Sequence, residues 1–449
     1  MTPRFAPLLA FALFAILSAA AQGRAQTGPI KIERALNMAR WFTWPRYEPG
    51  GAGIAWPPYQ GAPREADFAA LGRLRDAGFD SIRLPVDPGP LIVFEGERRE
   101  EVWGVLFDAI RRIEDAGLNV IVDIHPNSRH AVWGQNAVVA GVEAPAFVAV
   151  SNVIEETARR LQGHTGTAAL ELLNEPRLKC KGADRALWQD MLQHLHARAA
   201  TANPELTLIV TGACISTAEG LMAIDPGPFA GTNTLYTFHF YEPFSFTHQG
   251  AQFIPWPDKY LDGVPWPATT RPISEPAALL DRRVASVAGM SGVQRVGERD
   301  KALQNLRRYY KAGADIRLID QRFRDVANWA GRHGIPTSAI FIGEFGVLRR
   351  EPGKPGAFCA DRARWLSDVR KAAAVQGFSW AYFNYDGPFG LIEGDDKQKL
   401  DPVILAALGL ESPCAGARVF EAPGRAASPV DAECAALCTG PENTGAAGR

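Results

Sequence analysis

A closed (β/α)8 barrel, a TIM barrel, is the fold this sequence predicts, on three observations. One phrase recurs: an amphipathic helix, a glycine, then an apolar strand that ends in polar residues. Eight segments fit the strand part of that phrase, and eight βα units in one chain close a parallel barrel. No glycine-rich phosphate loop follows the first strand, which sets aside a doubly wound sheet.

The strands are read at 34–39, 81–85, 120–125, 169–174, 207–211, 235–240, 340–344 and 378–383. Helix 66–77 stops at Gly78 before the second strand, and helix 100–116 stops at Gly117 before the third. Helix 315–333 stops at Gly334 before the seventh, and helix 360–376 at Gly377 before the eighth. Glycine tolerates the left-handed backbone that ends a helix. Residues 242–314 form a long insertion after the sixth strand, with Phe244, Phe246, Trp256, Trp266 and several prolines. So long a connection is more often functional than idle. Its aromatics suggest a wall or lid beside the barrel mouth.

The chain divides into a signal peptide over 1–25, a catalytic domain over 26–410 and a C-terminal tail over 411–449. Arg4 followed by the apolar run Phe5 to Ala21 and small residues reads as a secretory signal, cleaved after Ala21 or Ala25. A retained anchor is the lesser alternative. No later segment is apolar for long enough to span a bilayer. Export implies a secreted or periplasmic protein, and six cysteines in such a chain suggest disulfides. Cys180 follows the fourth strand and Cys214 the fifth, so the two are expected to pair at the barrel mouth. Cys414, Cys434 and Cys438 make the tail a cysteine-containing staple, and Cys359 lies at the head of a helix. Their spacing does not resemble a zinc site. A net charge of −1 with 22% charged residues gives no reason to expect nucleic acid. A monomer is expected, with no cofactor and no metal.

Two apolar runs stop at a glutamate: Leu170 to Glu175 in Leu-Glu-Leu-Leu-Asn-Glu-Pro, and Ile340 to Glu344 in Ile-Phe-Ile-Gly-Glu-Phe-Gly. A carboxylate near a core is costly, because it loses its water. One alone reads as a cap or an ion pair. Two at strand ends of one barrel suggest a pair of acids with different jobs, which glycoside hydrolysis requires.

With the residues around them, these motifs resemble glycoside hydrolase family 5, the cellulase-like β-glycanases of clan A. The resemblance covers about residues 32–410 and rests on an ordered set. Arg83 stands in Ile-Arg-Leu-Pro, His125 in Val-Asp-Ile-His-Pro, and Asn174-Glu175-Pro176 closes the fourth strand. His239-Phe240-Tyr241, Glu344 in Gly-Glu-Phe-Gly and Trp380 in Phe-Ser-Trp-Ala follow. Pro126 stands where many relatives carry a second histidine, and the 242–314 insertion is long. Both departures concern the substrate cleft more than the chemistry.

The resemblance implies catalytic roles for Glu175, as acid/base, and Glu344, as nucleophile. It implies that Arg83 and Tyr241 hold Glu344, that Asn174 reaches a sugar 2-hydroxyl and that His239 orients the acid side. His125 would bind a sugar hydroxyl, and Trp380 would floor the reacting ring. Read from position alone, Asp123 is buried and hydrogen-bonded. Trp188, Trp329 and Trp365 are packing residues, and about half of Trp41, Trp44, Trp56, Trp133, Trp256 and Trp266 line a cleft. The leading expectation is a retaining endo-β-1,4-glucanase acting on a polysaccharide or oligosaccharide. A mannanase, or a β-1,3- or β-1,6-glucan hydrolase, is the alternative on the same scaffold. A non-catalytic sugar-binding barrel is disfavoured by the intact glutamates. A metal-dependent barrel hydrolase is disfavoured by Leu36-Asn37-Met38 on the first strand, where paired histidines would be wanted.

Overall fold

The computed structural model describes residues 29–414, apart from 51, 52, 60, 62, 64, 127–129, 131, 352 and 393–398. The signal segment, Cys434 and Cys438 lie outside the described residues. Eight parallel strands close a barrel: β1 (Arg34–Asn37), β2 (Ser81–Val86), β3 (Asn119–Ile124), β4 (Ala168–Glu171), β5 (Thr207–Thr211), β6 (Thr234–Phe240), β7 (Ile340–Phe345) and β8 (Ser379–Tyr382). Each expected strand is present, in order. Every residue of β2, β4, β5, β6, β7 and β8 is buried. Both faces of a barrel strand are covered, so its sequence runs apolar rather than alternating.

The expected helices are found at Glu65–Ala77, Gly96–Asp115, Ile316–Arg332 and Cys359–Gln376. Helices Pro145–Arg160, Gly182–Ala202, Ala218–Met222 and Pro402–Ala407 fill the remaining positions of the outer ring. Gly377 ends its helix in the left-handed conformation, at φ 73°, where a Cβ would be strained. Trp188, Trp329 and Trp365 are buried in the helical layer, as their positions imply. An antiparallel hairpin, Pro45–Tyr47 with Ile54–Tyr59, sits between β1 and the first helix. It was not anticipated, because its strands are short and broken by prolines.

The insertion is part of the body rather than a flap. It holds the short helix Phe244–Thr247 and a packed pair of helices, Ser274–Ser286 and Gly292–Lys311. Ser291 caps the second of the pair with a capping box to Gln294. Trp266 is fully buried, and its indole donates to Asp368 at 2.9 Å. Arg271 pairs with buried Asp361 at 2.5 Å, and Arg350 with Asp262 at 3.1 Å. These contacts fasten the insertion to the helix that follows β7 and to the loop that leads into it.

Cys180 and Cys214 form a disulfide, the pairing expected from their places after β4 and β5. Cys359 and Cys414 are also disulfide-bonded. Among the described residues no helix is long and apolar enough to cross a membrane.

Candidate active site

The strand register builds the site in pairs. Asn37 lies beside Arg83, Asp123 beside Glu171, and His239 beside Glu344. Five of the six are the last or second-to-last residues of their strands, where a barrel opens, and Arg83, midway along β2, lies just beneath them.

Arg83 is the hub, and its side chain has no exposed surface. Its Nε donates to Glu171 Oε2 at 2.7 Å and its Nη2 to Glu171 Oε1 at 2.8 Å. Nη2 also donates to Asn174 Oδ1 at 3.0 Å. Nη1 donates to Asn37 Oδ1 at 2.9 Å and to Glu344 Oε1 at 2.8 Å. The other Glu344 oxygen accepts from the Tyr241 hydroxyl at 2.9 Å. Burial, and then the Glu344 charge, push the Tyr241 phenol well above its usual range, so it remains a donor. Asp123 Oδ2 lies 3.0 Å from Arg83 Nη2 and 2.8 Å from His125 Nδ1. Burial works against a charge on His125, but Asp123 outweighs it and raises the pKa. The far nitrogen of His125 meets the Asn174 amide at 3.2 Å. Asp123 is fully buried and bonded, as its position one residue inside the strand end implies.

Glu175 is built differently. The β4 strand has ended, and Glu175 takes φ 45°, a left-handed conformation rare outside glycine. Such strain costs on the order of 1–3 kcal/mol and persists only where neighbours hold it. Here the neighbours are visible. Ser216 accepts from the Glu175 amide at 3.2 Å. Residues 214–216 are themselves left-handed. They are pinned by Ile215 N–H to Pro176 C=O at 3.1 Å, by Cys214 N–H to Leu178 C=O at 2.8 Å, and by the Cys180–Cys214 disulfide.

The Glu175 side chain is 21% exposed and Glu344 is 6% exposed, so both face the mouth. Burial is the main force raising the Glu175 carboxyl to about 7. His239 Nδ1 lies 2.9 Å from Glu175 Oε1. Burial lowers the His239 pKa to about 4. The proton therefore stays on Glu175 rather than on the imidazole between those values. Ligand atoms of Glu175, His239 and Glu344 all lie within 4.8 Å of one another.

Arg83, His125, Asn174, Glu175, His239, Tyr241 and Glu344 thus converge. Trp380 does not, and that expectation is corrected. It pairs in register with Arg34 and Ile342, near the N-terminal end of β8. Its ring is 5% exposed and packs edge-on against Phe79 and Phe345. The strand runs on past it to Tyr382, so Phe383 is the aromatic that reaches the mouth. The Phe383 amide donates to Phe345 C=O at 2.9 Å, and its ring lies 6.5 Å from Tyr241. Asn37 and Glu171 were also not singled out from sequence. Glu171 had a usable signal: a charge inside a strand buried on both faces must have a partner.

Of the loop tryptophans, Trp44 is 53% and Trp256 47% exposed, whereas Trp41, Trp133 and Trp266 are buried. A small apolar cluster of Ala251, Ile254, Leu348 and Phe389 lies apart from the main core, with Tyr241, Phe244 and Phe383 packed on it.

The cellulase (glycosyl hydrolase family 5) model matches residues 50–387. Endoglucanase 3 of Fibrobacter succinogenes is 24% identical over 355 residues, which is 76% of this chain and 48% of that protein. The chain spans about half the length of the curated relatives it matches. Among solved structures, the cellulose synthase subunit Z of Clostridioides difficile superposes with a TM-score of 0.60 at 21% identity, over 84% of this chain and 99% of that one. Cel5A of Thermotoga maritima, solved with cellobiose, superposes with a TM-score of 0.58 at 18% identity, over 84% and 97%. The same enzyme has been solved with mannotriose. These likenesses carry the barrel. The family rests on the sequence match, which begins at the hairpin and runs past β8 through every strand-end residue described above from Arg83 onward. The chain is a member of the cellulase family, glycosyl hydrolase family 5.

Proposed function

We propose that this chain is a retaining β-glycanase, with Glu175 as acid/base and Glu344 as nucleophile. One observation carries the reading: two mouth-facing carboxyls, each with an oxygen within 4.8 Å of the other, stand in opposite environments. Glu344 accepts one hydrogen bond on each oxygen, from Arg83 and from Tyr241. Glu175 is pushed towards its neutral form by burial. Retaining enzymes hold their carboxyls at about 5–5.5 Å, inverting ones at about 6.5–9.5 Å.

In the first step a Glu344 oxygen bonds to the anomeric carbon while the bond to the leaving oxygen breaks. The Glu175 proton goes to that oxygen. In the second step water attacks the anomeric carbon, its proton passes to Glu175, and Glu344 leaves as a carboxylate. Asn174, held by Arg83 and His125, is placed to meet the sugar 2-hydroxyl. His125 binds a sugar hydroxyl, and Phe383 takes the flooring role that the sequence reading gave to Trp380.

For the polymer, a β-1,4-glucan is our leading reading, supported by the endoglucanase name of the curated relative. A mannan is the second reading, since a similar barrel has been solved with mannotriose. We place the mature chain outside the cytoplasm, with residues 1–25 removed, 26–410 as the catalytic domain and 411–449 as a tail. The start of the insertion serves as one wall of the cleft. A screen of the purified protein on defined β-gluco- and manno-oligosaccharides, with product lengths recorded, tests the reading. Cleavage of gluco-oligosaccharides of four or more residues is expected. No cleavage of any β-linked oligosaccharide would contradict it.

A further inference from the structure

We infer that Glu171 is a positioning residue, which holds the Arg83 guanidinium in the plane that aims Nη1 at Glu344 and keeps Arg83 compensated when Glu344 loses its charge. The inference rests on the glycosidase reading above and goes one step deeper into it.

Glu171 has no exposed surface, so it cannot touch substrate and must act through another group. Its two oxygens accept from Nε at 2.7 Å and from Nη2 at 2.8 Å. Two parallel bonds to a planar guanidinium remove its freedom to rotate or tilt. The remaining N–H groups then have fixed directions, one of them to Glu344 Oε1 at 2.8 Å.

Stability alone gives no reason for such a cluster. Buried ion pairs are often replaceable by apolar residues at no loss. The reaction supplies a reason. Glu344 is an anion in the free enzyme, but it becomes a neutral ester once it bonds to the sugar. Arg83 stays charged and buried throughout. If Glu344 were its main counter-ion, Arg83 would lose that partner midway and shift. Glu171 does not react, so it holds Arg83 in one place through both steps. Asp123 shares in compensating Arg83, and its charge acts on Arg83 even more strongly than that of Glu171. But it meets Nη2 through one oxygen that also bonds His125, so it does not fix the plane of the guanidinium as the two-oxygen grip of Glu171 does.

The test compares wild type, Glu171→Gln and Glu171→Asp on cellotetraose and on a dinitrophenyl β-cellobioside, whose leaving group needs no proton. Glutamine turns an amide donor towards one of the arginine donors and removes the charge. Glu171→Gln should lower kcat about 10- to 100-fold, as misplaced reacting groups do, with KM changed less than about threefold. The loss should be equal on both substrates, because the defect lies on the nucleophile side. Burial raises the Glu171 carboxyl itself to about 7, with Arg83 opposing, so it is charged across the alkaline limb, and its loss there should move the Glu175 limb of kcat/KM to lower pH. A merely structural role would reduce the active fraction without moving that limb. Turnover within about twofold of wild type and an unmoved limb would overturn the inference. If Glu171→Gln does not fold, Glu171→Asp decides. It keeps the charge but is one methylene too short to reach both donors where they stand, so kcat should fall while the limb stays; wild-type kcat there would overturn it. Wild type inactive on both substrates would instead sink the glycosidase reading, and this inference with it.

Discussion

At the residue scale, the site separates its two acids by environment rather than by residue type. Glu344→Gln should abolish turnover on every substrate. Glu175→Gln should keep partial activity on an aryl glycoside with a good leaving group, and azide should accelerate a Glu175→Ala enzyme. Equal loss on activated and unactivated substrates would refute the division of roles. The raised Glu175 pKa also predicts pH behaviour. Activity that needs its proton should fall through about pH 7, and this alkaline limb should be absent from Glu175→Gln. A carboxyl raised on folding makes the native state bind the proton more tightly than the unfolded chain does. Stability should therefore decline as pH rises from about 4.5 through about 7, by about 3–4 kcal/mol at most. Glu171, raised to about 7 by burial, adds its own decline in the same window, so Glu175→Gln should lessen the loss rather than abolish it, which thermal melts at pH 5 and pH 8 would measure. Seven of the eight residues picked from sequence converge: six lie at or just past the end of an apolar strand, where strand ends meet at one mouth, and Arg83 reaches them from mid-strand through its long side chain. Trp380 fails on position: the strand read over 378–383 runs on past it to Tyr382, so its ring packs below the mouth. Trp380→Ala should cost about 3–5 kcal/mol in a denaturant melt, whereas Phe383→Ala should raise KM.

At the scale of elements, strand and helix positions were legible because apolar runs and glycine stops are local signals. The hairpin after β1 was not, since Pro45, Pro57 and Pro58 hide it. Glu171 lay in plain sight in Leu-Glu-Leu. Its inward direction cannot be read from alternation when both faces of the strand are buried. The support beneath Glu175 is also non-local, because it comes from the segment after β5. Removing the disulfide by Cys180→Ser with Cys214→Ser should loosen the Ser216 contact. We expect kcat to drop several-fold on an unactivated substrate and less on one that needs no proton. An equal drop on both would place the fault elsewhere. The insertion's aromatics step outward from Tyr241: His248 lies 5.0 Å from it, and exposed Phe253 lies 6.2 Å from His248. Phe253→Ala with Trp256→Ala should weaken polymer cleavage more than aryl glycoside cleavage. Deleting the whole insertion would instead expose the packing around buried Trp266.

For the whole molecule, the barrel explains how residues from 83 to 344 share one cleft. Its closed sheet fixes the facing of β4 and β7, and that facing fixes the carboxyl spacing. The central claim is double displacement through Glu344, and the stereochemistry of the first product tests it most directly. Proton NMR of early hydrolysis of a β-linked gluco-oligosaccharide should show the β-anomer first, with the α-anomer growing in only by mutarotation. An initial α-anomer signal would contradict the account.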